Sequence, residues 1–135
     1  MANAIYPLYK EALLNGSANT DMSAGTVKAA LVDTGTYTYS AAHEFLSSLT
    51  GVVGTAVTLG TKTFTTGTFD SANPTWTSVS GSTAEAIVLY IDTGVAGTSR
   101  LILYLDTSQT GLPVTPNGGD ITYTVDAAGW FTLGS

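Results

Sequence analysis

Two apolar segments with nearly the same lettering lie in the second half of the chain. Residues 88–93 read VLYIDT and residues 102–107 read ILYLDT. Their β-branched and aromatic content between turn residues predicts two strands. Because successive side chains on a strand point to opposite faces, one face is purely aliphatic: Ile87, Leu89, Ile91, Leu101, Leu103 and Leu105. We expect residues 84–105 to form the core of the fold.

The segment between these two strands, residues 93–99, contains two glycines and suits a hairpin loop. A hairpin symmetric about Ala96 pairs Leu89 with Leu103 and places Arg100 opposite Asp92. The second face of the two strands is amphipathic. We expect it to lie beneath a loop or against a partner.

Apolar residues at the start of the chain follow helical spacing: Ile5, Leu8, Tyr9, Ala12 and Leu13. Pro7 suits the first turn of a helix, and Asn15-Gly16 is typical of its end. A helix of two turns is unstable alone. It must therefore dock either on the core of its own domain or on a neighbouring subunit.

Alternation of apolar and polar residues predicts a strand over residues 26–33, followed by a turn with two exposed aromatics, Tyr37 and Tyr39. Ser40 is a candidate N-cap for a short helix over residues 41–49.

Further alternating segments are rich in threonine and are separated by glycine and proline: 51–59, 62–70, 75–79, 120–126 and 130–133. Phe64, Phe69 and Trp76 are candidates for the inner face of these strands. About eight strands at this spacing predict an all-β fold, an antiparallel β-sandwich of jelly-roll type with one short N-terminal and one short inserted helix. We expect a single domain over residues 1–135, with an N-terminal helical arm (1–16) and a β body (17–135).

Charge narrows the classes of partner. The chain has a net charge of −6 and only four cationic side chains, Lys10, Lys28, Lys62 and Arg100. Nucleic-acid binding requires a basic surface, so we expect no nucleic-acid partner, and an acidic surface also disfavours anionic membranes. No apolar run approaches the roughly 20 residues of a membrane span, and no signal-peptide pattern is visible. We expect a soluble protein that stays where it is made.

Candidate catalytic and ligand-binding residues are sparse. The absence of cysteine excludes disulfides, thiolate metal sites and cysteine nucleophiles. His43 has no serine or aspartate partner at triad spacing, so we interpret it as an ordinary helix residue. Four acids near strand ends lack a calcium-loop signature and are interpreted as solvated turn residues: Asp92, Asp106, Asp120 and Asp126. We therefore expect no catalytic, cofactor or metal site.

Exposed aromatic side chains leave one binding chemistry open. Tyr37, Tyr39, Trp76 and Trp130 could stack on sugar rings, as in a carbohydrate-binding module. Core or subunit contacts are the more common use of such residues.

Four blocks of sequence resemble a family of small structural proteins of tailed bacteriophages: IYPLYKEALLNGSANTD, TVKAALVDTGTYTYSAAHEFL, VLYIDTGVAGTSRLILYLD and GLPVTPNGGDITYTVD. The chain looks most similar to capsid cement or decoration proteins, which coat and clamp the major capsid shell. The resemblance implies a jelly-roll-like virion component on the capsid exterior, present in the host cytoplasm during assembly. It implies no catalytic residue.

The partners expected from this resemblance are the major capsid protein and further copies of the chain, a dimer being favoured over a trimer. Candidate subunit-contact residues are Ile5, Leu8, Tyr9, Leu13, Tyr37 and Tyr39. The alternative is a tail or baseplate receptor-binding or carbohydrate-binding module of similar fold. An enzyme is the third class, and it is disfavoured because the histidine and the scattered acids form no recognisable constellation.

Overall fold

A computed structural model of the protein describes residues 3–106 and 111–133. In chain order the elements are β1 (Ala4–Ile5), α1 (Pro7–Asn15), β2 (Thr26–Val32), a 3₁₀ turn (Leu46–Ser48), β3 (Val52–Thr58), β4 (Thr63–Thr65), β5 (Thr68–Asp70), β6 (Thr75–Trp76), β7 (Ala86–Asp92), β8 (Leu101–Leu105), β9 (Ile121–Thr122) and β10 (Phe131–Thr132).

The strands form antiparallel sheets, which confirms the all-β prediction. The main sheet has five strands in the order β1-β8-β7-β2-β3. A three-stranded sheet has the order β10-β5-β4, and β6 pairs with β9. The described residues thus contain ten strands rather than about eight, several of them only two residues long. These sheet orders do not establish a jelly roll.

The core lies at the centre of the main sheet, as the apolar pattern predicts. Every residue of β8 is buried, and so is every residue of β7 before Asp92. Burial of consecutive residues means that both faces of the sheet are covered. The amphipathic second face lies beneath a loop: the ring of Tyr39 packs against that of Tyr104 with centroids 5.1 Å apart. The indole of Trp76 donates to the carbonyl of Ala29 at 3.0 Å.

The hairpin register confirms one predicted pair and contradicts the other. Leu89 lies opposite Leu103, but the register then shifts, and Tyr90 lies opposite Leu101. This bulge moves Arg100 out of the position facing Asp92. The Arg100 guanidinium instead binds the Glu44 carboxylate at 2.9 Å, while Asp92 pairs with Lys28 at 3.2 Å.

Helix α1 is confirmed over Pro7–Asn15, but Ile5, the first residue of the predicted helical spacing, lies in β1 instead. Pro7 occupies its first turn, and Gly16 ends it with a φ of 69°. The amides of Gly16 and Ser17 donate back to the carbonyls of Leu13 and Ala12, the Schellman arrangement.

The N-terminal arm docks on its own core. Ala4 and Ile5 pair with β8 as an edge strand, and the Tyr6 amide donates to the carbonyl of Ile102 at 2.8 Å. Tyr6, Tyr9 and Ala12 are buried. The arm is therefore part of the main sheet and its packing.

The predicted inserted helix over residues 41–49 is wrong in extent, since only the 3₁₀ turn at Leu46–Ser48 forms. Phe45 is extended and forms a β-bridge with Arg100. The amide of Leu46 donates to Ser99 and the amide of Leu101 donates to Glu44. A helix would sacrifice these pairings, so contact with the distant hairpin outweighs local helix propensity.

The aromatic side chains predicted for the inner face differ in their burial. Phe69 and Trp76 are buried as expected, whereas Phe64 is 47% exposed. Phe64 lies on β4, an edge strand whose residues are all exposed, and its ring stacks on Phe69 with centroids 5.4 Å apart. One face of Phe64 is therefore left toward solvent.

Candidate functional site

A cluster of aromatic side chains joins the N-terminal arm to the loop after β2. The rings of Tyr6, Tyr37, Tyr39 and Tyr104 pack together at centroid distances of 5.1 to 6.2 Å. The hydroxyl oxygens of Tyr6 and Tyr37 are 2.8 Å apart, and the Tyr37 oxygen is 2.7 Å from Nδ1 of His43. We call Tyr6, Tyr37 and His43 the Tyr–Tyr–His triplet.

Burial governs the ionisation of this cluster. It is the largest cause of the raised pKa of Tyr6, and the hydrogen bond with Tyr37 adds to it. Burial also raises the pKa of Tyr37 and of Tyr39. The pKa of Tyr104 is raised first by burial and then by its hydrogen bond to the Asp106 carboxylate. The cluster is therefore a set of neutral hydroxyls over the ordinary pH range.

The structure moves two predicted contact residues into the protein's own core. Tyr37 is buried, which contradicts its assignment as an exposed aromatic, and Tyr9 is buried with its hydroxyl donating to the carbonyl of Thr20 at 2.9 Å. Neither side chain has surface to offer a neighbouring subunit. Ile5, Leu8, Leu13 and Tyr39 are half-buried and keep part of their surface.

His43 is not a helix residue. It lies in the loop before the 3₁₀ turn, half-buried, with its imidazole against Tyr37. Sequence reasoning also missed Tyr6, which has no exposed surface. Tyr6 follows β1 directly, and alternate residues of a strand share a face. Tyr6 therefore lies on the same covered face as Ala4 and its partner Tyr104. This alternation is the sequence signal that could have revealed it.

A second feature is an apolar surface that we call the α1–β10 patch, formed by Leu13, Phe64, Phe131 and Leu133. These side chains surround a shallow cavity of about 450 Å³. Leu133 is 48% exposed, and Leu14, next to Leu13, is 90% exposed. Among the candidate contact residues, Leu13 belongs to this patch, and the buried Tyr9 lines the same cavity. The other members escaped prediction because they lie on very short edge strands or just beyond one.

A larger groove of about 1010 Å³ lies between the N-terminal arm and residues 123–132. Ile5, Lys10 and Tyr39 line it on one side, and Asp126 lines it on the other. Tyr123 and Trp130 also border it, but their rings stack on each other with centroids 5.4 Å apart and both are buried. Of the four aromatics considered for sugar stacking, Tyr37, Trp76 and Trp130 are buried, and Tyr39 is half-buried.

The acids at strand ends are not brought together; instead, each acts locally. Asp92 binds Lys28, and its pKa is lowered by the Gly94 amide first and by Lys28 next. Asp120 accepts from the Ser78 amide, and Asp126 from the Ala128 amide. Within residues 3–106 and 111–133, no group of three or more histidine, aspartate or glutamate side chains could hold a metal ion.

Membrane insertion through a helix finds no support in the described part of the chain, where α1 is far too short and no helix is long and apolar enough to cross a bilayer. Comparison with models of known protein families and with curated proteins gave no match.

Proposed function

We propose that this protein is a structural component of a tailed bacteriophage virion, a cement or decoration protein that binds the outside of the major capsid shell and stabilises it. The proposal rests on the sequence resemblance and on one observation of the surface. That observation is the α1–β10 patch, where two of the large apolar side chains that the described residues expose, Phe64 and Leu133, line the same cavity.

Contact of exposed apolar surface with water is unfavourable, so burial of this surface against a partner lowers the free energy. Full burial of one leucine or phenylalanine side chain is worth roughly 1.5–3 kcal/mol. Phe64 and Leu133 are each about half exposed, so one patch supplies only a modest contact energy. A capsid repeats the same docking surface many times, and linked copies of a weak contact bind with avidity. A modest apolar contact thus suits a protein that coats a lattice.

Low charge is also compatible with this role. The chain carries four cationic and ten acidic side chains, and two of the cations, Lys28 and Arg100, are engaged in ion pairs within the protein. Cationic side chains therefore contribute little to the contact with a shell, which we assign mainly to apolar and hydroxyl surface. We also propose further copies of the chain as partners, with a dimer favoured over a trimer. Sedimentation velocity measures this oligomeric state.

The proposal is tested by co-sedimentation with purified undecorated capsids. We expect the double variant Phe64→Ser and Leu133→Ser to fold normally and to lose most capsid binding. Val95→Ser is the matched control, because Val95 is 59% exposed on the loop between β7 and β8, outside the patch. It should bind like the parent protein. Normal binding by the double variant would contradict the role assigned to the patch.

A receptor-binding or carbohydrate-binding module of a phage tail is the second candidate. The large groove supports it, because it combines the half-buried Tyr39 ring with the charged side chains of Lys10 and Asp126. A glycan array with the intact protein tests it, with Lys10→Ala as the groove variant. Specific glycan binding that is lost in Lys10→Ala would favour this candidate over a capsid role.

A further inference from the structure

The large groove runs along an open edge of the main sheet. β1 pairs with β8 on one side, and among the described residues no strand pairs with its other side. Ile5 lines the groove together with Leu103, its partner across the pair, and with Tyr39. Tyr39 packs on Tyr104, whose side chain lies on the face of β8 opposite to that of Leu103. A groove that is lined from both faces passes around the edge, so the edge of β1 opens into it.

The backbone of Ile5 points away from β8. In an antiparallel ladder, pairs of residues that exchange hydrogen bonds alternate with pairs that do not. The amide of Tyr6 donates to the carbonyl of Ile102 at 2.8 Å, so Ile5, the preceding residue in the register, belongs to a pair without such bonds. The amide and carbonyl of Ile5 are thus directed toward the open edge, and no group in the described part of the chain forms a hydrogen bond with them.

The opposite wall of the groove shows the same alternation. β9 pairs with β6 through Thr122 and Thr75, and the pairing continues beyond β9, since the amide of Tyr123 donates to the carbonyl of Pro74 at 3.1 Å. Thr124, the next residue, therefore directs its amide and carbonyl away from the β6 side. Thr124 is exposed and lines the groove. Each wall of the groove thus contains a residue whose backbone groups are directed away from its own strand partner.

These walls fit an extended polypeptide segment better than a second folded copy of the chain. A single strand can form hydrogen bonds on both of its sides, whereas an edge strand of a folded copy already has a neighbour on one side. Leu103 and Leu105 give the groove apolar surface, and Lys10 and Asp126 place opposite charges on its two sides. The complementary ligand alternates apolar and polar side chains and carries both an acidic and a basic residue.

We propose that the large groove is a peptide-binding site, in which an extended segment of a partner protein with this pattern adds a strand to β1. The inference goes beyond the proposed capsid role, which rests on the α1–β10 patch. It also differs from the sugar chemistry considered for the same groove, because the ligand is recognised by backbone amides and carbonyls rather than by aromatic faces. The amide of Ile5 donates to the peptide backbone, and the carbonyl of Ile5 accepts from it.

A randomised library of proline-free heptapeptides tests this inference, with the intact protein as bait and mass spectrometry to identify the bound peptides. We expect enrichment of peptides in which apolar and polar residues alternate. Each backbone nitrogen of an enriched peptide is then methylated in turn, which removes one donor and keeps every side chain. Methylation at alternate positions should weaken binding about fivefold, as the loss of one hydrogen bond requires. Failure to enrich any peptide, or equal binding by all methylated forms, would overturn the proposal.

Ile5→Pro is the protein variant that removes the outward amide. It keeps the hydrogen bonds between β1 and β8, and proline is accepted at such edge positions. Ile5→Val is the matched control, since it retains the amide and a branched apolar side chain. Fluorescence anisotropy should show peptide binding about fivefold weaker in Ile5→Pro than in Ile5→Val. Equal binding by the two folded variants would contradict the proposal, and the methylation series decides it on the parent protein if Ile5→Pro does not fold.

Discussion

The centre of the main sheet and the α1–β10 patch use the same residue types in opposite ways. In β7 and β8, leucines and isoleucines are covered on both faces of a sheet, with neighbours on both sides. In the patch, Phe64 lies on the three-residue strand β4 and Leu133 lies just beyond β10, and each keeps about half its surface in water. Burial in the first region stabilises the fold, whereas the second region keeps apolar surface that could still be buried against a partner.

The largest expected effect on stability comes from a substitution in the buried centre of the main sheet. Leu89 is completely buried at the centre of β7, and Leu89→Ala should lower the free energy of unfolding by about 2–5 kcal/mol because it leaves a cavity. Phe64→Ala in the patch removes a larger side chain that is half exposed, and it should cost less than about 1.5 kcal/mol. Urea unfolding of both variants measures the difference, and equal losses would contradict the division into core and contact surface.

A middle-sized effect is expected at alkaline pH from Tyr9, a buried residue of α1 that also lines the cavity of the patch. Burial raises the pKa of Tyr9 to about 12, above its value near 10 in the unfolded chain. Its contribution is therefore complete below pH 10 and is lost as the pH rises through 12. We expect a loss of roughly 1–2 kcal/mol attributable to Tyr9 over this interval.

The measurement is the pH dependence of urea unfolding between pH 9 and pH 12 in the parent protein and in Tyr9→Phe. The variant should lose less stability over the interval, since phenylalanine does not ionise. Tyr6, Tyr37 and Tyr104 contribute losses of the same sign in both proteins. Identical profiles would show that Tyr9 ionises as readily in the folded protein as in the unfolded chain.

The smallest effect is expected from salt on the proposed capsid contact. Salt screens interactions between exposed charges, whereas the patch residues carry no charge. Capsid co-sedimentation should therefore change little between low and moderate ionic strength. Release of the bound protein by moderate salt alone would indicate that charged groups, rather than the patch, make the contact.

The sequence predicts the parts of this fold whose signals are local. The hairpin pair Leu89–Leu103 follows from alternation and loop length, and the ends of α1 follow from Pro7 and Gly16. The Arg100 position could not be predicted, because a one-residue bulge in the register changes its partner. Such a bulge leaves no mark in the alternation of apolar residues.

The remaining wrong predictions concern residues whose conformation or burial depends on partners distant in sequence. Phe45 is extended because residues 44–46 pair with 99–101, and Tyr37 is buried because it meets Tyr6 and Tyr104. Neither contact is visible in a window of neighbouring residues. The patch was missed because Phe64 was assigned to the inner face, whereas β4 is an exposed edge strand. Two of the predicted contact residues, Leu13 and Tyr9, line the cavity of the patch, and Tyr9 is buried.

The position of β1 has a consequence for the order in which the protein folds. β1 is the first strand of the chain, yet its partner β8 lies about a hundred residues later. Closing so long a loop costs entropy before any contact repays it, and pairings of this kind form slowly. A ribosome must release most of the chain before the arm can find its place. Until then Tyr6, Tyr9 and the apolar side of α1 stay in water, exposed to whatever binds nascent apolar segments.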